Sequence, residues 1–207
     1  MRIIIFGATG SIGRELVRQA LDQGHTVTAF SRRPESVQVE HPSLQVYAGD
    51  VLDYAAVEQA IGGHDAVLCA LGAGRKGVVR AEGTRHIIQA MEREGIDRLI
   101  CQTTLGAGDS RENLNFFWKY LMFGLLLKQA MQDHELQEQY IRRSSLDWTI
   151  VRPAAFTDGP LTNLYQHGFG TNAAGLRLKI SRADVAAFML AQLTTATYLR
   201  KTPGLSY

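Results

Sequence analysis

An apolar run that ends in a loop of three spaced glycines limits this chain more than any other feature: Ile3-Ile4-Ile5-Phe6-Gly7-Ala8-Thr9-Gly10-Ser11-Ile12-Gly13. After Gly13 the pattern turns helical, with Leu16, Val17, Ala20 and Leu21 at three- and four-residue spacing. The prediction is a buried strand, a tight turn and a helix N-terminus. Gly7 makes the sharp turn, Gly10 lets backbone approach a phosphate, and Gly13 lets the helix pack on the strand. The helix start offers unpaired N–H groups and the positive end of a dipole. A second strand, Thr26 to Phe30, follows at the distance a βαβ unit requires. The loop therefore reads as a dinucleotide site in which Gly7, Thr9, Gly10, Ser11, Ile12 and Gly13 surround the pyrophosphate. The competing reading is a glycine-rich turn with no ligand.

At 207 residues the chain suits one domain, residues 1–207, around one sizeable core. Its 22 basic and 20 acidic side chains nearly cancel, which gives no electrostatic case for nucleic acid. Strand one begins at residue 2, so a chain without a signal peptide is expected. Cys69 and Cys101 both sit in apolar, strand-like runs and read as buried free thiols. No disulfide framework or metal-ligand cluster is visible, and a reduced, cytoplasmic setting is the expectation.

The end of strand two sets the cofactor. Versions of this fold that take NAD place an acid there for the ribose 2′-hydroxyl. Here the chain reads Ser31-Arg32-Arg33-Pro34. A carboxylate would repel a 2′-phosphate, whereas a guanidinium binds one through paired, charge-assisted bonds. NADP(H) is therefore expected, held by Arg32 foremost and Arg33; the alternative is two solvated arginines. A short third strand, Leu44 to Tyr47, leads into Gly49-Asp50-Val51 at the edge of the adenine pocket. Asp50 either accepts from the adenine amino group or caps the helix starting near Asp53.

Strand four, Asp65 to Leu71, is apolar throughout, as a central parallel strand should be. It runs into Gly72-Ala73-Gly74, where a doubly wound sheet reverses strand order and binds its ligand, so Leu71 and Gly72 join the cofactor set. Arg75 and Lys76 either touch phosphate or face water. A long helix spans Val78 to Glu94; His86 within it reads as structural, and Gly95 as its C-cap. Strand five, Arg98 to Gln102, ends in Thr103 and Thr104, which either meet cofactor and substrate or cap the strand.

Asn115 to Met131 carries Phe116, Phe117, Trp118, Tyr120, Leu121, Met122, Phe123, Leu125, Leu126 and Leu127 almost without interruption. The run is shorter than the ~20 apolar residues a bilayer span needs, and Lys119 and Lys128 break it. Three readings compete: a lid over an apolar substrate pocket, buried core or a protein contact, and a segment lying in a membrane surface. A helix from Asp133 to Arg143 follows, with His134 and Glu138 four apart on one face, able to act together or to pair with each other. Strand six is Leu146 to Arg152, then Pro153-Ala154-Ala155-Phe156. Residues 165–180 read as a loose pair of short strands. Ser181-Arg182-Ala183-Asp184 opens the last helix as a capping-type start, and a final short strand lies near Gly204 to Tyr207.

The glycine loop, the Gly49-Asp50-Val51 turn, Leu146-Asp147-Trp148-Thr149-Ile150-Val151-Arg152-Pro153 and Ile180-Ser181-Arg182-Ala183-Asp184-Val185-Ala186 resemble the atypical short-chain dehydrogenase/reductases of the NmrA-like, NAD(P)H-binding group. Chain size and Asp158-Gly159-Pro160-Leu161-Thr162 are most similar to the biliverdin-IXβ reductase, or flavin reductase, family. The resemblance implies a single-domain, doubly wound α/β fold of Rossmann type with helices on both faces of a parallel sheet. It also implies NADPH and an apolar site over the nicotinamide for a small aromatic acceptor, flavin or tetrapyrrole. It carries the glycine loop and Arg32 to cofactor binding, sets Thr104 where that family has a serine near the nicotinamide, and sets His134 on a family histidine beside the active site. Ala155 departs from a histidine often found there. Phe116, Phe117, Trp118, Ala155 and Phe156 are the expected substrate pocket, and Val51, Thr103 and Pro153 complete the cofactor set.

Typical members of the superfamily use Tyr-x-x-x-Lys as proton donor. Here Tyr120 is followed by Gly124, Tyr140 by Ser144 and Tyr165 by Phe169. A ketone reductase would lack its acid. Flavins and tetrapyrroles delocalise the incoming charge, so stacking and orientation suffice. The other function class is a non-catalytic NADP(H)-binding regulator or assembly factor that grips a partner or membrane through 116–127. A monomer is expected, since the tyrosine-lysine helices that pair subunits elsewhere have no counterpart motif.

Overall fold

The computed structural model of the protein describes residues 1–72 and 78–207. The expectations for Ala73, Gly74, Arg75 and Lys76 lie outside the described residues. The elements run β1 (Arg2–Phe6), α1 (Ser11–Asp22), β2 (Thr26–Ser31), β3 (Leu44–Ala48), α2 (Tyr54–Ile61), β4 (Ala66–Cys69), α3 (Val79–Glu94) and β5 (Arg98–Gln102). They continue as α4 (Lys128–Arg143), β6 (Asp147–Pro153), β7 (Ala155–Thr157), β8 (Gln166–His167), β9 (Lys179–Ser181), α5 (Arg182–Ala191) and β10 (Gly204–Ser206). Eight strands form one sheet in the order β3-β2-β1-β4-β5-β6-β10-β8, parallel except for β8. The order reverses between β1 and β4, and ligands of such sheets bind at the carboxyl ends of those strands.

Strand alternation divides the core between the two faces. Ile3 and Ile5 point with Leu16, Val17 and Ala20 of α1 and Val185 and Met189 of α5. Ile4 and Phe6 point with Val57 and Ile61 of α2, Ile87 and Met91 of α3 and Ile141 of α4. Gly95 ends α3 in a left-handed conformation, φ +69°. Ser181 Oγ accepts from the Asp184 N–H at the start of α5. Asp184 is itself fully buried and also accepts from Thr162, Asn163 and Tyr207, tying the loop after β7 to the chain terminus.

Two expectations change. Residues 165–180 do not form a pair: β8 joins β10 antiparallel, and β9 joins β7 in a separate two-stranded parallel sheet. Both partners are distant in sequence, so local pattern carried no trace of them. The apolar run is a π-helical segment, Phe117–Leu126, that passes into α4 at Lys128, earlier than Asp133. Among the described residues no helix is long and apolar enough to cross a membrane, and no group of three or more His, Cys, Asp or Glu could hold a metal ion.

Candidate cofactor and acceptor site

The glycine loop is built to leave room. Gly7 has φ +82°, and a Cβ there would lie 2.4 Å from the Ala70 carbonyl oxygen. Gly10 donates its N–H to Gly7 O at 2.9 Å, which closes the turn. A Cβ on Gly13 would lie 2.0 Å from Gly7 O, so α1 meets β1 with no side chain between them. Helix α1 starts with no capping side chain and no acid in its first turn. Its first N–H groups thus have no side-chain acceptor beside them, the arrangement an anionic pyrophosphate fits.

Two concavities meet at this loop. A groove of about 220 Å³ is lined by Gly7, Thr9, Ser31, Arg32, Arg33 and Val51 among others. A deeper cavity of about 350 Å³ runs from Gly10, Ser11 and Ile12 past Thr103, Thr104 and His134 to Trp118, Ala155 and Phe156. Gly10, Leu71 and Gly72 belong to both walls, so one extended ligand could occupy the groove and reach the cavity. At the groove end Ser31 Oγ accepts from Arg33 N–H at 3.1 Å. Arg32 and Arg33 are exposed and have no carboxylate partner among the described residues. Two uncompensated guanidinium groups and no acid at the end of β2 suit a 2′-phosphate. Arg32→Ala should weaken NADPH binding by roughly 1.5–3 kcal/mol and leave NADH almost unchanged. Titrating both cofactors by fluorescence checks this, and equal losses would remove the 2′-phosphate assignment.

Five expected site residues line neither concavity. Asp53, not Asp50, caps α2, accepting from Ala55 and Ala56 N–H. Asp50 accepts from Leu52 N–H at 3.0 Å, a tight local turn, and lies outside both linings. Pro153 is buried behind the cavity, its carbonyl accepting from Leu105 N–H at 2.8 Å; the neighbouring Ala154 reaches the wall instead. Phe116 and Phe117 are turned to solvent, 77% and 50% exposed. Gly13 serves packing and reaches neither concavity.

The end of β5 and α4 form the polar side. Thr103 is fully buried and donates to Glu138 Oε1 at 2.9 Å. Glu138 holds Arg152 in a forked pair, at 2.9 Å from Nε and 2.6 Å from Nη2, and Arg152 Nη1 reaches Asp109 at 2.6 Å. That hydrogen bond holds the Asp109 carboxyl below its ordinary range. The expected His134–Glu138 pairing is therefore replaced. Helix neighbours four apart can meet, but Glu138 is claimed by strand β6. His134 Nδ1 lies 3.2 Å from Gln137 Oε1, and Gln137 Nε2 donates to Thr84 at 2.9 Å. Since the amide oxygen can only accept, His134 carries its proton on Nδ1 and keeps Nε2 as an acceptor. Thr104 donates to Leu105 O at 3.3 Å. His86 is structural, bonding Val51 O at 3.0 Å.

Burial, reinforced by the Arg80 charge, pulls the His134 imidazole down to about 4. A folded chain that resists protonation is stabilised relative to the unfolded one at high pH. The contribution is complete above the ordinary value of 6.5 and is lost as pH falls from there through about 4. His134→Gln should flatten the stability profile across that window by about 3 kcal/mol, measured by denaturant unfolding against pH. A parallel profile for wild type and variant would contradict the neutral, buried imidazole.

Some wall residues carried no usable sequence signal. Leu105, Leu114 and Leu178 line the cavity, and a leucine in sequence does not tell core from pocket. Leu178 adopts φ +54°, an unusual conformation for leucine, and Ser206 Oγ accepts from its N–H at 3.0 Å. Asp133 was equally hidden: it accepts from Arg80 and Ala81 N–H and so caps α3 from the neighbouring helix. Phe123 and Leu127 come from the apolar run, where nothing local separated inward from outward positions.

Comparison with known proteins agrees with this geometry. The chain is 30% identical over 78% of its length to a chloroplastic protein of Arabidopsis thaliana, and 25% identical over 98% to photosystem II assembly factor Ycf39 of Synechocystis; it spans 61% of each of these relatives. Among solved structures, ChuY of Escherichia coli O157:H7, described as an anaerobillin reductase, superposes with TM-score 0.82 at 26% identity, covering 100% of this chain and 97% of the other. The NAD(P)H-binding family model matches residues 7–196, and the chain belongs to that NAD(P)H-binding family.

Proposed function

We propose that the protein is an NADPH-dependent reductase that passes hydride to a planar conjugated acceptor, a flavin or a linear tetrapyrrole of the biliverdin kind. The observation that carries this reading is the apolar cavity that continues from the glycine loop, with Trp118, Phe123 and Phe156 in its wall. When bound, the reduced nicotinamide supplies the hydride. The chain's own residues bind, orient and exclude water. The α1 start holds the pyrophosphate of the cofactor and Arg32 its 2′-phosphate. Trp118, Phe123 and Phe156 offer flat apolar surface for an aromatic ring system. His134, neutral at physiological pH, offers Nε2 to an acceptor N–H, and Thr104 adds a hydroxyl at the wall. No tyrosine lies among the described residues of the wall. An acceptor that delocalises charge needs none, because its proton can follow from water. The likeness to ChuY, an anaerobillin reductase, supports the acceptor class. The free thiols Cys69 and Cys101 fit a reducing, cytoplasmic setting.

The test is anaerobic NADPH oxidation with FMN, riboflavin and biliverdin isomers. Saturable turnover with one of them is expected. Tight NADPH binding with no turnover on any acceptor would favour the second reading, a non-catalytic NADP(H)-binding assembly factor. The likeness to Ycf39 and the exposed aromatic face of 116–127 support that alternative.

A further inference from the structure

The segment that walls the cavity has a second face. Trp118 and Phe123 pack inward, their rings 5.6 Å apart. Phe116, Phe117, Tyr120, Leu121, Leu125 and Leu126 are all exposed, Leu125 at 71%. Single exposed apolar side chains are ordinary, but six from one short segment form a patch that calls for an occupant. Its charges are one-sided. Residues 111–128 hold Arg111, Glu112, Lys119 and Lys128 as their only charged side chains. Lys119 and Glu112 cancel, at 3.3 Å. Arg111 lies along the segment, its Nη2 donating to Lys119 O at 3.4 Å. Lys128 is exposed at the far end. Neither Arg111 nor Lys128 has a carboxylate partner among the described residues.

Apart from the Tyr120 hydroxyl the six exposed side chains are hydrocarbon, and the charges left without a carboxylate partner, on Arg111 and Lys128, are both positive. Aromatic and leucine side chains flanked by cations match the boundary between acyl chains and anionic headgroups. We propose that segment 116–127 docks on an anionic lipid surface, with its apolar side chains at the headgroup boundary and Arg111 and Lys128 on lipid phosphates. The segment lies on the bilayer and does not cross it. No cofactor or acceptor enters this proposal, so it stands or falls apart from the reductase reading.

The test is co-sedimentation of the full chain, without NADPH, with phosphatidylcholine vesicles and with vesicles that also contain phosphatidylglycerol. Binding to the anionic vesicles should exceed binding to the neutral ones about tenfold or more, and salt should weaken it. The double variant Phe116→Ser/Leu125→Ser should lose about tenfold in binding while its thermal unfolding stays unchanged, because both side chains face solvent. Three results would overturn the proposal: no vesicle binding, equal binding by wild type and variant, or no preference for anionic vesicles. Light scattering that finds a dimer dissolved by the same two substitutions would also overturn it, by assigning the patch to a second copy of the chain.

Discussion

Gly13→Ala is expected to cost at least about 3 kcal/mol of stability and to abolish tight NADP(H) binding. The added methyl would sit 2.0 Å from Gly7 O, 2.8 Å from Ala8 Cα and 2.8 Å from the Gly7 carbonyl carbon. All three are backbone atoms, so no rotamer change relieves the contact. Helix α1 must move off β1, which opens the core around Ile5, Leu16 and Val17 and displaces the N–H groups of Ser11 and Ile12. Thermal unfolding should fall by about 10 °C for a chain of this size. Gly72→Ala is the matched control: a Cβ there meets nothing within 4 Å, yet Gly72 lies in both concavities. It should keep stability and weaken cofactor binding alone. A stable Gly13→Ala that binds NADPH normally would contradict the close helix–strand contact.

Glu138→Ala is expected to cost about 3–5 kcal/mol, because it leaves a guanidinium buried without its main partner. Arg152 is 1% exposed and Glu138 4%. The two hydrogen bonds of their fork join α4 to β6, and Thr103 attaches β5 to the same carboxylate. Asp109 keeps one contact to Arg152, but from a loop whose carboxylate is largely in water. The companion double variant Glu138→Leu/Arg152→Met removes both charges and should recover much of the loss, as apolar replacement of a buried pair often does. Chemical denaturation of Glu138→Leu, Arg152→Met and the double variant gives the coupling directly. If the single and double variants lose the same amount, the network is not held by charge.

Much of the fold was legible because its evidence is local. The β1–loop–α1 unit shows its apolar run, its glycines and its helical period within about two dozen residues. The strand β5 matched its expected bounds, Arg98–Gln102. What failed depends on partners far away in sequence. β8 and β9 are two and three residues long and are defined by β10 and β7, so no period marks them. His134 and Glu138 look like a helix pair until Arg152 arrives from β6. Asp50 and Asp53 are both good caps by type, and only backbone geometry chooses Asp53. The apolar run from Phe116 hid its inward positions because a π-helical segment does not follow the 3.6-residue period. In the site, the glycine loop and the arginines at the end of β2 stood out by spacing and residue type, and they line one groove. The wall made by Leu114, Phe123, Leu127 and Leu178 was not, since leucine and phenylalanine look the same in a core and in a pocket.

The proposed reduction passes hydride directly from the cofactor to the acceptor within the cavity. It is tested most directly by anaerobic single turnover with NADPH deuterated at C4, on each face in turn, using the acceptor that supports turnover. Deuterium on one face only should slow the transfer step and leave the cofactor, and with a tetrapyrrole acceptor it should appear on the reduced carbon. Label that remains on the oxidised cofactor from both faces, or a transfer step slowed by neither label, would contradict direct transfer.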